Sequence, residues 1–85
     1  MRYILEFTAS AAREFKKLER AVQRRIAPRI DELVKDPIPP GAKKLRGDPD
    51  HYRIRIGDYR IIYRIDRNRV AIVVVKIGHR REVYR

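Results

Sequence analysis

The fold is decided by one stretch of the sequence, residues 51–66, which reads HYRIRIGDYRIIYRID. Residues 51–56 alternate between polar and apolar side chains, which is the period of a half-buried β-strand. Gly57-Asp58 follows, and a glycine at the first position of a two-residue loop suits a type II′ hairpin turn. Residues 59–66 then return as a second strand. The stretch therefore predicts a β-hairpin in which Ile56 pairs with Tyr59 and Arg55 with Arg60.

This register gives the hairpin two different faces, because directly paired residues project to the same side of a sheet. The apolar face should pack against helices, and it carries Tyr52, Ile54, Ile56, Tyr59, Ile61, Tyr63 and Ile65. The other, here called the arginine face, carries His51, Arg53, Arg55, Arg60, Ile62 and Arg64. Like charges directly opposite one another destabilise a sheet by up to about 1 kcal/mol per pair. Since a bound anion would relieve this repulsion, the arginine face predicts a flat or concave anion cradle; the alternative is an ordinary solvated sheet face.

The first half of the chain changes to a helical period. Residues 2–7 predict a short strand, and a helical period then predicts one helix at about residues 9–20 and a second at about residues 21–35. Thr8 or Ser10 is a plausible N-cap. Pro28 removes one backbone hydrogen bond, so we expect a kink or a break there. Residues 36–41 are rich in proline and end the helix pair.

The predicted fold class is α+β, with a single domain over residues 1–85. An N-terminal strand and a helix hairpin precede a three-stranded antiparallel meander, and together they form one small twisted sheet. The third strand of the meander, at residues 69–77, is apolar on both faces and is therefore expected to be central. We expect the sheet to be mixed, with the first strand joined through the helix hairpin.

Composition limits the classes of function. The chain has 85 residues, with 22 Lys and Arg against 11 Asp and Glu and a net charge of +11. A domain this basic favours a polyanion as partner, although a solvated basic surface is the alternative. The absence of cysteine excludes a disulfide scaffold, a thiol nucleophile and cysteine-based metal sites. The longest apolar run, residues 70–75, is far shorter than the roughly 20 residues that span a bilayer, so we expect no membrane association and a cytoplasmic location.

The pattern of carboxylates argues against a metal-dependent nuclease. Such an enzyme needs clustered carboxylates for magnesium, whereas Asp48, Asp50 and Asp58 stand in predicted turns, where aspartate commonly bonds the local backbone. We therefore expect neither metal nor cofactor. The residues are compatible with RNA cleavage that uses no metal, because RNA supplies its own nucleophile, the 2′-hydroxyl.

Such a cleavage needs groups that move protons as well as groups that stabilise charge on phosphorus. Arginine can stabilise charge, but its pKa above 12 prevents it from acting as a base. Proton transfer must therefore come from His51, His79, a tyrosine or a lysine. Tyr84 is the best tyrosine candidate because three arginines stand near it in the sequence, and nearby positive charge favours the phenolate. The alternative is a tyrosine that only tethers the chain end.

Three segments resemble the RelE/ParE toxin superfamily. Lys44-Leu45-Arg46-Gly47 resembles the segment that leads into the family's basic strand. The stretch from Gly57 to Tyr63 is similar to the family's Gly-x-Tyr-Arg-hydrophobic-hydrophobic-Tyr strand. The tail from Gly78 to Tyr84 resembles the RelE branch's Gly-Lys-Arg followed by a terminal tyrosine. The resemblance covers essentially the whole chain and implies a RelE-like, microbial-RNase-like fold.

The resemblance implies the toxin of a type II toxin–antitoxin pair, with a cognate antitoxin as partner in a heteromeric complex. It also implies a ribosome-dependent, metal-independent endoribonuclease that cleaves mRNA in the A site and inhibits translation. By motif position the implied catalytic residues are Arg53, Arg55, Arg60, Arg80 and Tyr84. Their implied roles are charge stabilisation by Arg53 and Arg80, phosphate orientation by Arg60, and proton transfer by Tyr84. Further RNA contacts are predicted at Lys43, Lys44, Arg46, His51, Arg64 and Arg81.

The chain departs from the family at the two hairpin lysines, which are Arg53 and Arg55 here. Arg55 can hardly donate a proton to the leaving 5′-oxygen. His79 stands where the family often has lysine, and it is the hypothesised acid or base because the intrinsic pKa of histidine is near neutral. The alternative function is a ParE-like toxin that binds and poisons DNA gyrase without catalysis. A third reading is a toxin-like RNA binder without activity.

Overall fold

A computed structural model describes residues 2–79 of the chain. Two helices and five strands follow one another as β1 (Ile4–Phe7), α1 (Ala9–Lys17), α2 (Arg20–Glu32), β2 (Lys43–Lys44), β3 (His51–Ile56), β4 (Tyr59–Asp66) and β5 (Ala71–His79). The strands form one sheet in the order β1-β5-β4-β3-β2, in which β1 is parallel to β5 and the other pairs are antiparallel. The α+β class and the mixed sheet are confirmed. The last strand is an inner strand, as its apolar faces predict, but β4 is the middle strand of the five. The sheet nevertheless has one strand more than predicted, because β2 pairs with the outer edge of β3.

The hairpin register is confirmed at every predicted pair, from His51 opposite Arg64 to Ile56 opposite Tyr59. Gly57 has a φ of +60°, while Asp58 is not among the residues with positive φ. Positive φ at the first loop position alone is the pattern of a type II′ turn. This turn matches the twist of the two strands and so fixes which side chains share a face.

Thr8 is the N-cap of α1, where its hydroxyl oxygen accepts the N–H of Ala11 at 3.1 Å. The helix pair is interrupted at residues 18–19. Pro28 does not break α2, which runs through it with Ile26 and Ile30 buried on either side. Within residues 2–79, no helix combines the length and the apolar character needed to cross a membrane.

The core lies between the helix pair and the apolar face of the sheet. Ala11 of α1 and Ile26 and Ile30 of α2 are buried against a cluster that includes six of the seven predicted apolar-face residues, with Tyr59 partly buried beside them. Tyr63 is fully buried and stacks on Tyr52 with ring centroids 5.9 Å apart. The helices thus cover one side of the sheet, and the arginine face lies on the other.

Strand β5 differs from the prediction in three respects, the first of which is that it ends at His79 rather than residue 77. It begins at Ala71 rather than residue 69, because Val70 has a φ of +53°, which a strand cannot accommodate. It also contains a bulge: Tyr63 pairs with Val74 but Ile62 pairs with Lys76, which leaves Val75 unpaired. A bulge of one residue reverses the side of the sheet to which every later side chain points.

Helix α1 completes the outer edge of β5 where the short β1 ends. The Thr8 N–H donates to the Val74 carbonyl at 3.0 Å, and the Thr8 hydroxyl donates to the Val75 carbonyl at 3.2 Å. Further along, Glu14 accepts the Ile77 N–H at 2.8 Å. Thr8 and Glu14 therefore satisfy backbone groups of β5 that a longer β1 would have paired.

Candidate functional site

The arginine face is organised in rows that run across the strands. Paired residues form three such rows, which are Arg55/Arg60/Gly78, Lys43/Arg53/Ile62/Lys76 and His51/Arg64/Val73/Glu6. Successive rows are two residues apart along each strand, which corresponds to about 7 Å. The first and second rows hold the three hairpin arginines that the sequence assigns to catalysis.

Two of these arginines are less accessible than the predicted open cradle requires. Arg60 is 1 % exposed and Arg53 is 8 % exposed, whereas Arg55 is exposed. Both residues lie on inner strands of the sheet, since β2 pairs with the outer edge of β3 and β4 lies between β3 and β5. Arg55 is therefore the guanidinium of the first row that an incoming phosphate meets first.

Carboxylates lie around the border of the arginine face. Asp66 pairs with Arg64 at 3.5 Å, and Glu6 accepts a two-pronged hydrogen bond from Arg69. The Arg69 backbone N–H holds the pKa of Asp66 below its usual range, with a further contribution from Arg64. The Arg69 side chain lowers the pKa of Glu6 in the same way, through its hydrogen bonds. Both acids are therefore ionised and neutralise the far end of the face.

The centre of the face keeps its positive charge. Of the residues that the structure describes, no carboxylate pairs with Lys43 or Arg53. Lys76, at the other end of the same row, bonds the Glu14 carboxylate at 3.2 Å. An anion is therefore attracted to the β2–β3–β4 side of the face rather than to β5.

The structure brings together six of the predicted site residues. Lys43, His51 and Arg64 share the arginine face with Arg53, Arg55 and Arg60. The His51 Nδ1 lies 3.0 Å from the Pro49 carbonyl oxygen, which can only accept, so Nδ1 carries the proton and donates.

Other predicted site residues lie elsewhere. Lys44 pairs with Tyr52 and so belongs to the apolar side of the sheet edge. Arg46 lies in the exposed turn after β2. Arg80, Arg81 and Tyr84 lie outside the described residues.

His79 is not on the arginine face. It pairs with Tyr59 on the apolar side, and the two rings meet edge-on with centroids 5.6 Å apart. The cause is the bulge at Val75, which places Ile77 and His79 on the helix side and Lys76 on the arginine face. Sequence reasoning missed Lys76 as a member of this face, and its one signal was a charged residue within an apolar strand.

The chemistry available on the face follows from these groups. Guanidinium groups can orient a phosphate and stabilise extra negative charge on phosphorus. In the part of the chain that the structure describes, no cluster of His, Asp and Glu is placed to hold a metal ion. The proton carriers on the face are Lys43, His51 and Lys76. The site is thus suited to a phosphodiester whose own hydroxyl attacks.

Comparison with known proteins assigns the family. The model of the family described as "ParE toxin of type II toxin-antitoxin system, parDE" matches residues 5–84. This chain belongs to the ParE toxin family. Within it the chain is a RelE-like toxin: it is 34% identical over 88 residues to the mRNA interferase toxin RelE of Escherichia coli strain K12, covering 99% of this chain and 92% of that protein.

Solved structures of RelE-like toxins share the fold. The isolated RelE toxin of E. coli superposes with a TM-score of 0.82 at 30% identity, covering 91% of this chain and 83% of that one. The toxin in the intact E. coli RelBE toxin-antitoxin complex superposes with a TM-score of 0.81 at 32% identity, covering 91% of this chain and 95% of that one. The RelE-like fold is therefore confirmed.

Proposed function

We propose that residues 1–85 form one toxin domain that cleaves mRNA in the ribosomal A site without a metal, acting in the cytoplasm. One observation carries the proposal: Arg55 and Arg60 are directly paired, with Arg53 in the next row, on the side of the sheet opposite the helix pair. Such a group of guanidinium side chains suits a phosphate in a fixed position. The 34% identity to a protein named an mRNA interferase supports the same reading.

The proposed reaction uses the RNA's own 2′-hydroxyl as nucleophile. This oxygen attacks the adjacent phosphorus and gives its proton to a base. The bond from phosphorus to the 5′-oxygen breaks, the 5′-oxygen takes up a proton, and a cyclic phosphate remains. Arg60 orients the phosphate, and Arg53 and Arg55 stabilise the charge that develops on it. By motif position, Arg80 shares the charge stabilisation and Tyr84 takes part in proton transfer. Lys43 contacts the RNA beside Arg53, and His51 and Arg64 extend the contact to neighbouring nucleotides.

A cognate antitoxin is the second proposed partner. The net charge of +11 favours a partner segment that is acidic and amphipathic. The solved E. coli RelBE toxin-antitoxin complex supports a heteromeric complex for this chain too. Such a segment would block RNA access either by occupying the arginine face or by displacing the tail that carries Tyr84.

Primer extension on a defined mRNA in a reconstituted translation reaction tests the activity. We expect cuts at ribosome-occupied codons, and a rate lowered about 10²- to 10³-fold by Arg55→Ala, which removes a charge from an exposed position. Tyr84→Phe should lower it as well. Arg29→Ala is the matched control, since Arg29 is an exposed arginine of α2 that pairs with Glu32 at 3.8 Å. Equal cutting by Arg55→Ala and wild type would refute the proposed role of the face.

A second candidate function is favoured by the family match itself, which is to ParE toxins. A gyrase poison needs a binding surface but no proton transfer. If the protein leaves mRNA intact in the translation reaction and blocks DNA supercoiling by purified gyrase, this second function replaces the first.

A further inference from the structure

The proposed cleavage has an unfilled role on the hairpin, and the following inference rests on that proposed function. The 5′-oxygen leaves as an alkoxide unless a group donates a proton to it. Arg53 and Arg55 cannot do so effectively, because a guanidinium does not give up its proton in proteins. Some other group near the first and second rows must be the donor.

The described residues offer few candidates. Tyr52, Tyr59 and Tyr63 lie on the apolar side of the sheet, and so does His79. Only proton carriers on the arginine face can reach a phosphate bound there. These are Lys43, His51 and Lys76.

Geometry separates these three side chains. Lys76 is drawn to the outer edge of β5 by Glu14, whose carboxylate lies 3.2 Å from its ammonium. His51 stands in the third row, about 7 Å along β3 from Arg53 and about 13 Å from Arg55. Lys43 stands in the second row directly opposite Arg53, and it is exposed.

Lys43 also has the right freedom of movement. Directly paired side chains have Cβ atoms about 5 Å apart, so Lys43 and Arg53 can contact the same phosphate. Its ammonium has no carboxylate partner within residues 2–79. The flexible four-carbon stem of lysine lets the ammonium follow the leaving oxygen.

We propose that Lys43 is a catalytic residue that protonates the leaving 5′-oxygen. As the bond from phosphorus to the 5′-oxygen breaks, the electron pair stays on oxygen and takes a proton from the Lys43 ammonium. The lysine becomes a neutral amine and regains its proton from water. Strand β2 thus supplies the lysine that the two hairpin strands lack.

The first test is Lys43→Arg, which keeps the charge and removes the transferable proton. In single-turnover cleavage of ribosome-bound mRNA, we expect the rate at saturation to fall about 10²-fold or more, with half-saturation within about twofold. Lys35→Arg makes the same exchange at an exposed lysine outside the site and should leave the rate unchanged. Far-UV circular dichroism confirms that each variant is folded.

The second test replaces the 5′-bridging oxygen at the cleaved bond by sulfur, because a thiolate leaves without needing a proton. On this substrate Lys43→Arg should cleave within a fewfold of wild type. The assignment is overturned if Lys43→Arg cleaves the oxygen substrate as fast as wild type, if its defect persists with sulfur, or if sulfur rescues His51→Gln or Lys76→Met instead. If wild type cleaves neither substrate, the proposed function itself fails, which is a different outcome.

Discussion

Tyr63 offers a sharp test of the packing that supports the arginine face. Its ring is fully buried, and its hydroxyl donates to the Pro37 carbonyl at 2.6 Å, which ties β4 to the segment between α2 and β2. Tyr63→Phe removes this hydrogen bond and leaves the ring in place. We expect the free energy of unfolding at pH 8 to fall by about 1–1.5 kcal/mol. In a domain of this size that lowers Tm by about 4–8 °C per kcal/mol.

The size of this effect should depend on pH, because burial raises the pKa of the Tyr63 phenol well above its ordinary value. The native state keeps this phenol protonated, whereas the unfolded state releases the proton above about pH 10. A proton retained only by the native state lowers the free energy of unfolding as pH rises, by about 1.4 kcal/mol at pH 11. Tyr63→Phe has no such proton. Its disadvantage should therefore vanish, or reverse, between pH 10 and pH 11.

Urea denaturation followed by circular dichroism at pH 8, 10 and 11 measures this difference. Every lysine and every other tyrosine is present in both proteins, so their titration cancels in the difference between the two free energies of unfolding. Tyr59→Phe makes the same exchange at a tyrosine that is only partly buried, and it is the matched control. A Tyr63→Phe deficit that is the same at pH 8 and pH 11 would show that folding does not perturb this phenol.

Three other perturbations test separate parts of the fold. Gly57→Ala should lower the free energy of unfolding by about 1–2 kcal/mol, because the φ of Gly57 is +60°. The new methyl group would also lie 2.6 Å from a nitrogen of Arg25, but that nitrogen belongs to a flexible side chain that can move away. The cost measured in an Arg25→Ala background should therefore agree within about 0.5 kcal/mol. A cost that disappears in that background would assign it to the contact instead. Glu14→Ala should lower the free energy of unfolding by about 1–2 kcal/mol and speed hydrogen exchange at the Ile77 amide, whose N–H Glu14 accepts. Unchanged exchange at Ile77 would contradict the role of Glu14 at the edge of β5. Asp66→Asn should reduce the loss of stability on acidification below about pH 4. The Arg69 backbone N–H lowers the native pKa of Asp66, so the stability that the ionised Asp66 contributes is lost as pH falls through that native pKa. Urea denaturation between pH 2 and pH 6 measures the free energy of unfolding of both proteins, and parallel pH profiles would count against the prediction.

The hairpin could be predicted from sequence because its information is local. Alternation over residues 51–56 identifies the first strand, and Gly57 identifies the turn type, which together determine every pair and both faces. Strand β2 could not be found in this way. Two adjacent lysines show no alternation, and their pairing depends on the outer edge of β3 being available, which is a property of the assembled sheet.

Burial and sidedness on the arginine face were also beyond the sequence. Arg53 and Arg60 are buried, whereas Arg55 on the same face is exposed and Arg64 is half-buried, and the alternation of the hairpin does not distinguish these positions. The side of the sheet on which His79 lies depends on the bulge at Val75. No residue type marks this bulge, since Val74 and Val75 are identical side chains in a uniform apolar run.

In the proposed cleavage, the side chains that act on one phosphate are those that share a row across the sheet, rather than those that are close along the chain. Along β3 the motif has arginine at both hairpin positions, which suggests that an ammonium group is missing from the site. Read across the sheet, the row of Arg53 contains Lys43 on one side and Lys76 on the other. Because neighbouring strands are closer together than successive same-face residues of one strand, a side chain on an adjacent strand can replace one within the motif. The exchange of lysine for arginine on the hairpin is therefore compatible with catalysis, provided that β2 stays paired.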